Sequence, residues 1–413
     1  MTAQPDAVDR ARAEAASPCA VAGVRLAAGA AGIRHAGRDD LVLMEVAPGG
    51  QAAAVFTQNA FCAAPVILGR QHLGAASPRY LLINAGNANA GTGAQGMADA
   101  LACCRLVAER AGCEANRVLP FSTGVIGEDL PVARIGAALP SLFQGLRADA
   151  WEAAARAIMT TDTRPKLARR AFDLDGRRAT LVGMAKGAGM ICPNMATMLA
   201  FVATDAAMAA GALQASLEAA VANSFNAISV DGDTSTNDAC VLLATGALGN
   251  PPLDEAGAEG LGGFRQALDD LCLELATALV RDGEGATKLV RTAVRGAANP
   301  VEARRVAETI AHSLLVKTAL FAGDPNWGRV LAAVGRAGVA GLDISQVQIW
   351  LDDVRIVAAG GRDPSYREED GARVMARDEL TIAVYLGRGR AESTMLTCDL
   401  SYDYVRINAE YRS

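Results

Sequence analysis

Short apolar segments separated by glycine-containing turns recur through the first two thirds of the chain and predict the strands of a sheet. They cover residues 40–46, 52–57, 79–83, 179–185, 198–203 and 239–245. Between them, apolar residues at helical spacing predict helices over 96–111, from after Asp205 to about Asn223, and along the stripe 264–279. Strands and helices that alternate along a chain are typical of an α/β protein.

The last third of the chain predicts a smaller domain of α+β type. Its pattern favours a helix over 301–316 and strands over 347–357, 379–386 and 393–408. We place a domain boundary near Asn299, which gives a main domain of residues 19–298 and a C-terminal domain of 299–413. Residues 1–18 are Ala-rich and lack an apolar core, so we expect them to form an N-terminal arm.

The charge balance argues against a nucleic-acid partner. The chain has 39 basic and 45 acidic residues, a net charge of −6, and no clustered basic face. Its most basic stretch, 164–178, is interrupted by Asp173 and Asp175, which favours a solvated hairpin. The apolar runs stop well short of the roughly 18 residues that a membrane helix needs. With no signal-peptide pattern either, we expect a cytoplasmic protein.

Neither cysteine nor histidine supports a metal site or a histidine-based mechanism. The nine cysteines contain no C-x-x-C pair, and we interpret them as reduced core residues. The three aspartates in 231–238 lack the spacing and closing glutamate of an EF-hand, so we expect no metal. The only histidines are His35, His72 and His312. A nucleophile in this chain therefore needs a base other than histidine.

Thr197 is the strongest candidate nucleophile. It follows a segment containing Gly187, Gly189 and Pro193, and it precedes the apolar strand predicted over 198–203. If the peptide bond before Thr197 were cut, its own α-amine would lie beside its hydroxyl, as in enzymes with an N-terminal threonine nucleophile. Cys192 lies close in sequence, but no histidine accompanies it there.

Other polar segments suggest chemistry less specifically. Thr123 and Gly124 offer a hydroxyl and a backbone N–H to an oxyanion, but the pair taken alone favours a simple turn. The hydroxyl-rich segment 160–163 is either a ligand site or a capped helix end. The Asn- and Gly-rich segment 84–93 either presents amides to a ligand or forms a plain turn. Glu284, flanked by glycines, marks either an exposed site or a solvated turn.

An ordered set of short motifs extends over nearly the whole chain from about Val21. They are FTQN (56–59), NAGNAN (84–89), STGVIG (122–127), TTDT (160–163), KGAGM (186–190), PNMAT (193–197), DGDT (231–234), GDPNWGR (323–329) and NAEYRS (408–413). Together they resemble the ornithine acetyltransferase family of arginine biosynthesis, whose members include bifunctional glutamate N-acetyltransferases.

This resemblance implies a self-processing enzyme with a layered αββα sandwich of the Ntn-like type. The chain would cut itself between Ala196 and Thr197, giving an α chain of 1–196 and a β chain of 197–413. The new α-amine of Thr197, with a pKa of about 7.7 to 8.0, would then serve as the base that activates its hydroxyl.

The resemblance also implies a ping-pong reaction. N2-acetylornithine donates its acetyl group to Thr197, ornithine leaves, and glutamate takes the acetyl group to give N-acetylglutamate. Thr123 and Gly124 match the family's oxyanion pair. The positions that match its substrate-contacting residues are Thr160, Lys186, Thr197, Glu284, Asn408 and Ser413. Lys186 suits the carboxylate of an amino acid, and Glu284 suits its ammonium group.

Several points stay open at this level. The sequence does not decide whether acetyl-CoA also serves as acetyl donor, and it indicates no cofactor. The family implies that the two halves stay together as a heterodimer, doubled into an α2β2 heterotetramer. One alternative is a self-processing aminopeptidase or amidohydrolase, in which water replaces glutamate as acceptor. Another is a non-enzymatic scaffold in which Thr197 is an ordinary strand residue.

Overall fold

The structure is a computed structural model, and it describes residues 19–34, 36–192, 198–255 and 258–411. The predicted N-terminal arm, residues 1–18, lies outside the described residues. Within them, the chain forms the following strands: β1 (Val24–Gly29), β2 (Leu41–Val46), β3 (Gln51–Phe56), β4 (Tyr80–Asn87), β5 (Val118–Val125), β6 (Lys166–Leu174), β7 (Arg177–Lys186), β8 (Leu199–Thr204), β9 (Ile228–Ser229), β10 (Ala239–Ala244), β11 (Leu289–Ala297), β12 (Gln348–Leu351), β13 (Val354–Ala358), β14 (Gly361–Arg362), β15 (Glu379–Tyr385) and β16 (Ala391–Cys398).

The α-helices of the described residues alternate with these strands. They are α1 (Ala64–Ala75), α2 (Gly93–Ala111), α3 (Val132–Gln144), α4 (Trp151–Ala157), α5 (Ala210–Asn223), α6 (Ala258–Arg281), α7 (Pro300–Ala311), α8 (Leu314–Ala322), α9 (Trp327–Gly335), α10 (Glu368–Met375) and α11 (Tyr402–Glu410). None of the helices in the described part of the chain is both long and apolar enough to cross a membrane.

The chain divides into two compact units. The described residues within 1–187, 194–226 and 234–276 belong to the first unit, and those within 188–193, 227–233 and 277–413 belong to the second. The main division therefore falls between Ala276 and Thr277, whereas the sequence placed a boundary near Asn299. One physical reason is β11, which lies before Asn299 but pairs with the late strands β15 and β16.

Two sheets form the centre of the first unit. One has the strand order β1-β2-β4-β5 and the other β3-β10-β8-β7-β6. Apolar side chains of both sheets belong to a single buried cluster, to which β4 contributes Ile83, β5 contributes Phe121 and β8 contributes Phe201. The Phe121 and Phe201 rings meet edge to face with centroids 5.0 Å apart. The two sheets are therefore packed face to face over a shared core.

Helices cover the outer faces of both sheets. A second cluster joins β2, β4 and β5 to α1, α2 and α3, with Leu82 of β4 and Val107 of α2 among its members. On the other side, Gly183 of β7 lets Leu271 and Leu275 of α6 come so close that a β-carbon at Gly183 would lie 2.7 Å from Leu271. The layered αββα arrangement predicted from the motifs is confirmed.

The basic stretch 164–178 forms the predicted hairpin. β6 and β7 pair antiparallel from Lys166 and Ala185 to Leu174 and Arg177. Asp175 and Gly176 turn the chain with positive φ angles of 49° and 75°, a conformation that glycine and aspartate adopt more easily than most residues. The register brings the end of β7, where Lys186 lies, beside the start of β8.

The second unit is built on a seven-stranded sheet of order β14-β13-β12-β15-β11-β16-β9. Its buried cluster combines strand residues such as Val294 and Ile382 with Val306 of α7, Leu320 of α8 and Val334 of α9. The predicted α+β character of the late chain is therefore present.

Details of the late chain differ from the sequence-based expectations. The predicted helix 301–316 is two helices, because Ser313 caps the start of α8 by accepting a hydrogen bond from the Val316 amide. The predicted strand 347–357 is a β12–β13 hairpin that turns at Asp352, whose φ is 48°. The predicted strand 393–408 ends at Cys398, and helix α11 begins at Tyr402.

Candidate active site

Lys186 and Thr123 meet in the first unit. Lys186 is the last residue of β7 and is only 3% exposed, and Thr123 lies near the end of β5. The Lys186 Nζ donates a hydrogen bond to the Thr123 Oγ1 over 3.1 Å. A lysine ammonium has only donors, so this contact uses the oxygen of the threonine and leaves its O–H proton available for another acceptor. The contact therefore orients Thr123 as a hydrogen-bond donor.

Gly124, the next residue, occupies a position that only glycine fits. Its φ of 133° lies in a region that L-residues rarely adopt, and a β-carbon there would lie 2.2 Å from the Gly86 carbonyl carbon. The β4–β5 register shifts at this point, between Gly86 and Asn87. The pairing is irregular next to Thr123, because Asn87 of β4 is opposite both Thr123 and Val125 of β5.

A buried carboxylate, Asp162, balances the positive charge beside this pair. Its Oδ1 accepts hydrogen bonds from the Lys166 Nζ at 2.5 Å and from the Gly187 amide at 2.7 Å. Burial alone would raise the pKa of Asp162, but the charges of Lys186 and Lys166, with these hydrogen bonds, outweigh burial and lower the pKa to about 2. Asp162 is thus ionised at neutral pH.

Buried amides support the strand that carries Thr123. The Asn237 Nδ2 donates to the carbonyls of Ala88 and Ser122, at 2.6 and 2.9 Å. The Ser122 hydroxyl donates to Asn84 Oδ1 at 2.6 Å, and Asn84 donates in turn to the Asn87 carbonyl. Residues 84–87 continue strand β4, so the plain turn expected there is wrong for them, and the Asn84 side chain contacts protein groups.

In the second unit, Glu284 and Asn408 form a polar pair. The Asn408 Nδ2 donates to the Glu284 Oε2 at 2.7 Å, and Glu284 itself is buried. Gly189 makes room for the carboxyl group, because a β-carbon there would lie 2.4 Å from the Glu284 Oε2. The Glu284 amide donates to the Ala188 carbonyl at 2.8 Å. These contacts hold a buried carboxylate against a small-residue segment.

Asp231 supports the backbone of Met190 and Ile191. Its two carboxyl oxygens accept the amides of Met190 and Ile191, at 2.6 and 2.9 Å, and the Tyr404 hydroxyl lies 3.3 Å from Oδ2. Burial raises the pKa of Asp231, opposed by these amides. Within the described residues, no group of three or more His, Cys, Asp or Glu side chains is arranged to hold a metal ion.

The GDPNWGR motif, 323–329, has a local structural role between two helices. Asn326 caps helix α9 by accepting a hydrogen bond from the Arg329 amide at 3.1 Å, and its own Nδ2 donates to Asp324. Gly323 ends α8 in the left-handed conformation, with a φ of 68°. The motif therefore joins two helices of the second unit by a capped turn.

Comparison with known proteins identifies the family. The family model described as "ArgJ family" matches residues 25–413. The arginine biosynthesis bifunctional protein ArgJ of Methylococcus capsulatus is 63% identical over 395 residues, which cover 96% of each chain. The chain belongs to the ArgJ family. The resemblance stated from the motifs is thereby confirmed, and with it the assignment to the acetyltransferases of arginine biosynthesis in preference to the aminopeptidase alternative.

Two solved structures are also similar to this ArgJ-family chain. The crystal structure of the arginine biosynthesis bifunctional protein ArgJ from Bacillus halodurans is 40% identical and covers 51% of this chain and 98% of its own, with a TM-score of 0.49. The ornithine acetyltransferase of Mycobacterium tuberculosis, complexed with ornithine, is 35% identical and covers 42% of this chain and 93% of its own, with a TM-score of 0.37.

The site residues predicted from the sequence fall into three groups. Lys186, Thr123 and Gly124 lie together in the first unit, where the Thr160 amide donates to the Asp162 Oδ2 at 3.0 Å. Glu284 and Asn408 lie together in the second unit. Ala196, Thr197 and Ser413 lie outside the described residues, so their predicted roles stay predictions.

Sequence reasoning missed three residues of the first unit that lie near Lys186 and the strand carrying Thr123. Asp162 was considered only as part of a hydroxyl-rich segment, although a carboxylate four residues before Lys166 was a visible signal. Asn237 and Asp238 were considered only as part of a polar loop. Their signal was a pair of polar residues directly before the apolar strand β10, where side chains commonly satisfy the first backbone groups of a sheet.

Proposed function

We propose that this ArgJ-family chain cuts itself at the Ala196–Thr197 bond and then transfers acetyl groups through Thr197. The Thr197 hydroxyl oxygen attacks the Ala196 carbonyl carbon, the C–N bond breaks, and the nitrogen takes the proton. Water then hydrolyses the ester, which leaves a carboxylate on Ala196 and a free α-amine on Thr197. That amine accepts the hydroxyl proton in each later acetyl transfer.

The observation that carries the proposal is the contact between Lys186 and the Thr123 hydroxyl beside Gly124. It supplies an O–H donor held in place by a buried charge, next to the backbone amide of a residue that has no side chain. Donors fixed in this way stabilise the negative oxygen of a tetrahedral acyl-transfer intermediate. Thr123 and Gly124 are accordingly proposed as the oxyanion pair.

The proposed reaction has two half-reactions. N2-acetylornithine acetylates the Thr197 hydroxyl and ornithine leaves with a proton on its amine. The amine of glutamate then attacks the acetyl ester, which gives N-acetylglutamate and restores Thr197. Acetyl-CoA is a second proposed donor for the first half-reaction, and no cofactor takes part.

The remaining site residues are proposed as substrate contacts. Lys186 carries the positive charge suited to a substrate carboxylate, and Glu284 the negative charge suited to a substrate ammonium. Asn408 fixes the Glu284 carboxyl, and Thr160 and Ser413 complete the set. We further propose that the α chain, 1–196, and the β chain, 197–413, form an α2β2 heterotetramer in the cytoplasm.

Acetyl transfer and self-cleavage are tested with the same preparation. Purified wild-type protein should give two bands on a denaturing gel, with the new N-terminus at Thr197. With N2-acetylornithine alone, mass spectrometry should find one added acetyl group on the β chain, and glutamate should remove it as N-acetylglutamate.

The matched control is Thr197→Ala, which keeps the chain length and removes only the nucleophile. It should stay uncut and take up no acetyl group. Cleavage of Thr197→Ala at the same bond would contradict the proposal, and so would acetylation of the wild type at any residue other than Thr197. Parallel assays with acetyl-CoA in place of N2-acetylornithine determine the donor range.

A further inference from the structure

Asp238 holds the backbone directly after Thr197. It precedes strand β10, and the parallel register of β10 with β8 pairs Ala239 with Leu199. The residues before the two strands, Asp238 and Met198, therefore lie side by side. The Met198 amide donates to the Asp238 Oδ1 at 2.8 Å, and the Ala239 amide donates to the Met198 carbonyl at 3.2 Å. The nitrogen that Asp238 holds belongs to the peptide bond joining Thr197 to Met198.

The second carboxyl oxygen of Asp238, Oδ2, has an unusual environment. Asp238 is 1% exposed, and its Oδ2 is buried with no hydrogen-bond partner in the described part of the chain. An ionised carboxylate with an unbonded oxygen in such a place is costly, whereas a protonated one carries no net charge. Burial raises the pKa of Asp238 well above its usual range, opposed by the Met198 amide, by Ser235 and by the charge of Lys186.

We propose that Asp238 is a positioning residue for Thr197 and acts as a neutral carboxylic acid. One oxygen fixes the amide that follows Thr197, and the other presents an O–H group next to that peptide. The role covers both self-cleavage and acetyl transfer, because each requires the Thr197 hydroxyl in one fixed orientation. This inference rests on the proposed function of Thr197, and it adds a group outside the oxyanion pair and the substrate contacts.

The decisive comparison is between Asp238→Asn and Asp238→Ala. Asparagine keeps an oxygen for the Met198 amide and replaces the O–H donor by an N–H donor, without a proton that can be lost. We expect Asp238→Asn to cut itself and transfer acetyl within about threefold of the wild type. Asp238→Ala, which loses both contacts, should do so at least about tenfold more slowly.

A pH profile separates this role from simple structural support. Wild-type acetyl transfer should fall as pH rises through the range in which Asp238 ionises, and Asp238→Asn should keep its rate over that range. The stability of the wild type should also decrease as pH rises. The folded state holds a proton that the unfolded chain has lost, so wild-type stability falls as pH rises from the unfolded pKa towards the folded one. The melting temperature of Asp238→Asn should not show that decline.

Asp205 provides the matched control. It is a buried aspartate directly after the other end of β8, and its Oδ1 accepts the Thr180 amide at 2.8 Å. Asp205→Ala should lower the melting temperature while its self-cleavage rate stays that of the wild type.

The outcomes that overturn the inference are specific. It is wrong if Asp238→Asn is as slow as Asp238→Ala, if the two pH profiles coincide, or if Asp205→Ala slows cleavage as much as Asp238→Ala. If Asp238→Ala is insoluble, the test depends on Asp238→Asn. The inference is then wrong if this variant is more than about tenfold slower than the wild type or if its pH profile coincides with that of the wild type. A wild type that does not cleave, or a Thr197→Ala variant that does, would instead contradict the proposed function.

Discussion

Lys186 donates a hydrogen bond to the hydroxyl of Thr123, 63 residues earlier in the chain, and the two residues come from different sheets of the first unit. The contact joins a buried cation to a hydroxyl that would otherwise rotate. Asp162 balances charge on the same side through Lys166 and the Gly187 amide. A donor for a developing negative oxygen is therefore oriented before any substrate binds.

Thr123→Val should lower kcat by about 100-fold, the usual cost of one oxyanion donor, because valine has nearly the same shape and no O–H group. Thr123→Ser keeps the donor and should stay within about tenfold of the wild type. Steady-state acetyl transfer with N2-acetylornithine and glutamate measures both. Equal rates for the valine and serine variants would show that the Thr123 hydroxyl does not stabilise the transition state.

Gly124→Ala should destabilise the protein by about 3 kcal/mol or more, because the new β-carbon would overlap the Gly86 backbone in addition to the strained φ. Gly127→Ala is the matched control, since its φ of 84° is also positive but nothing lies within 4 Å of the added carbon. It should cost about 1 to 2 kcal/mol. Denaturant unfolding measures both, and equal losses would show that the close approach at Gly124 is unimportant.

Asp162 should contribute acid-sensitive stability. Its pKa is lowered in the folded state to about 2, so its contribution is complete above the unfolded pKa of 3.8 and is lost as pH falls towards 2. That contribution is about 2 kcal/mol, because one pKa unit is worth about 1.4 kcal/mol. Asp162→Asn should lose this stabilisation at neutral pH. In thermal unfolding, its melting temperature should depend less on pH in the acid range than that of the wild type.

Asp173→Asn is the control for Asp162. Asp173 lies on β6, the strand that follows Asp162, but its side chain is exposed and forms an ion pair with the exposed Arg178. Its unfolding curve should differ little from that of the wild type. If Asp162→Asn behaved in the same way, the charge cluster would be irrelevant to stability.

Asn408→Ala should raise the KM for the amino-acid substrate about tenfold, with a smaller change in kcat. It removes the hydrogen bond that fixes the Glu284 carboxyl, and a bond to a charged group is worth about 1.5 kcal/mol or more. Arg406→Ala, on the same helix, loses only an exposed ion pair with Asp403 and should leave KM unchanged. An unchanged KM in Asn408→Ala would show that the Asn408–Glu284 hydrogen bond does not contribute to substrate binding.

Much of the fold was predictable, because the spacing of apolar residues along the chain indicates which sides of each strand or helix are buried. The strands 198–203 and 239–245 were placed to within about a residue, since both sides of a central strand are buried and its apolar run is continuous. Segments with one exposed side were predicted less well. Helix α11 was mistaken for a strand because most of its residues are exposed and its apolar positions do not mark a buried face.

The sequence by itself determined the family, the mixed α/β class and the scarcity of histidine that directs attention to Thr197. Ordered motifs and composition are properties of the chain and do not depend on how it folds. Only the tertiary structure decided that Asp162 and Asp238 belong beside Lys186 and Met198. Those contacts join residues 24 to 40 positions apart, and strand register, which depends on packing across whole sheets, brings them together.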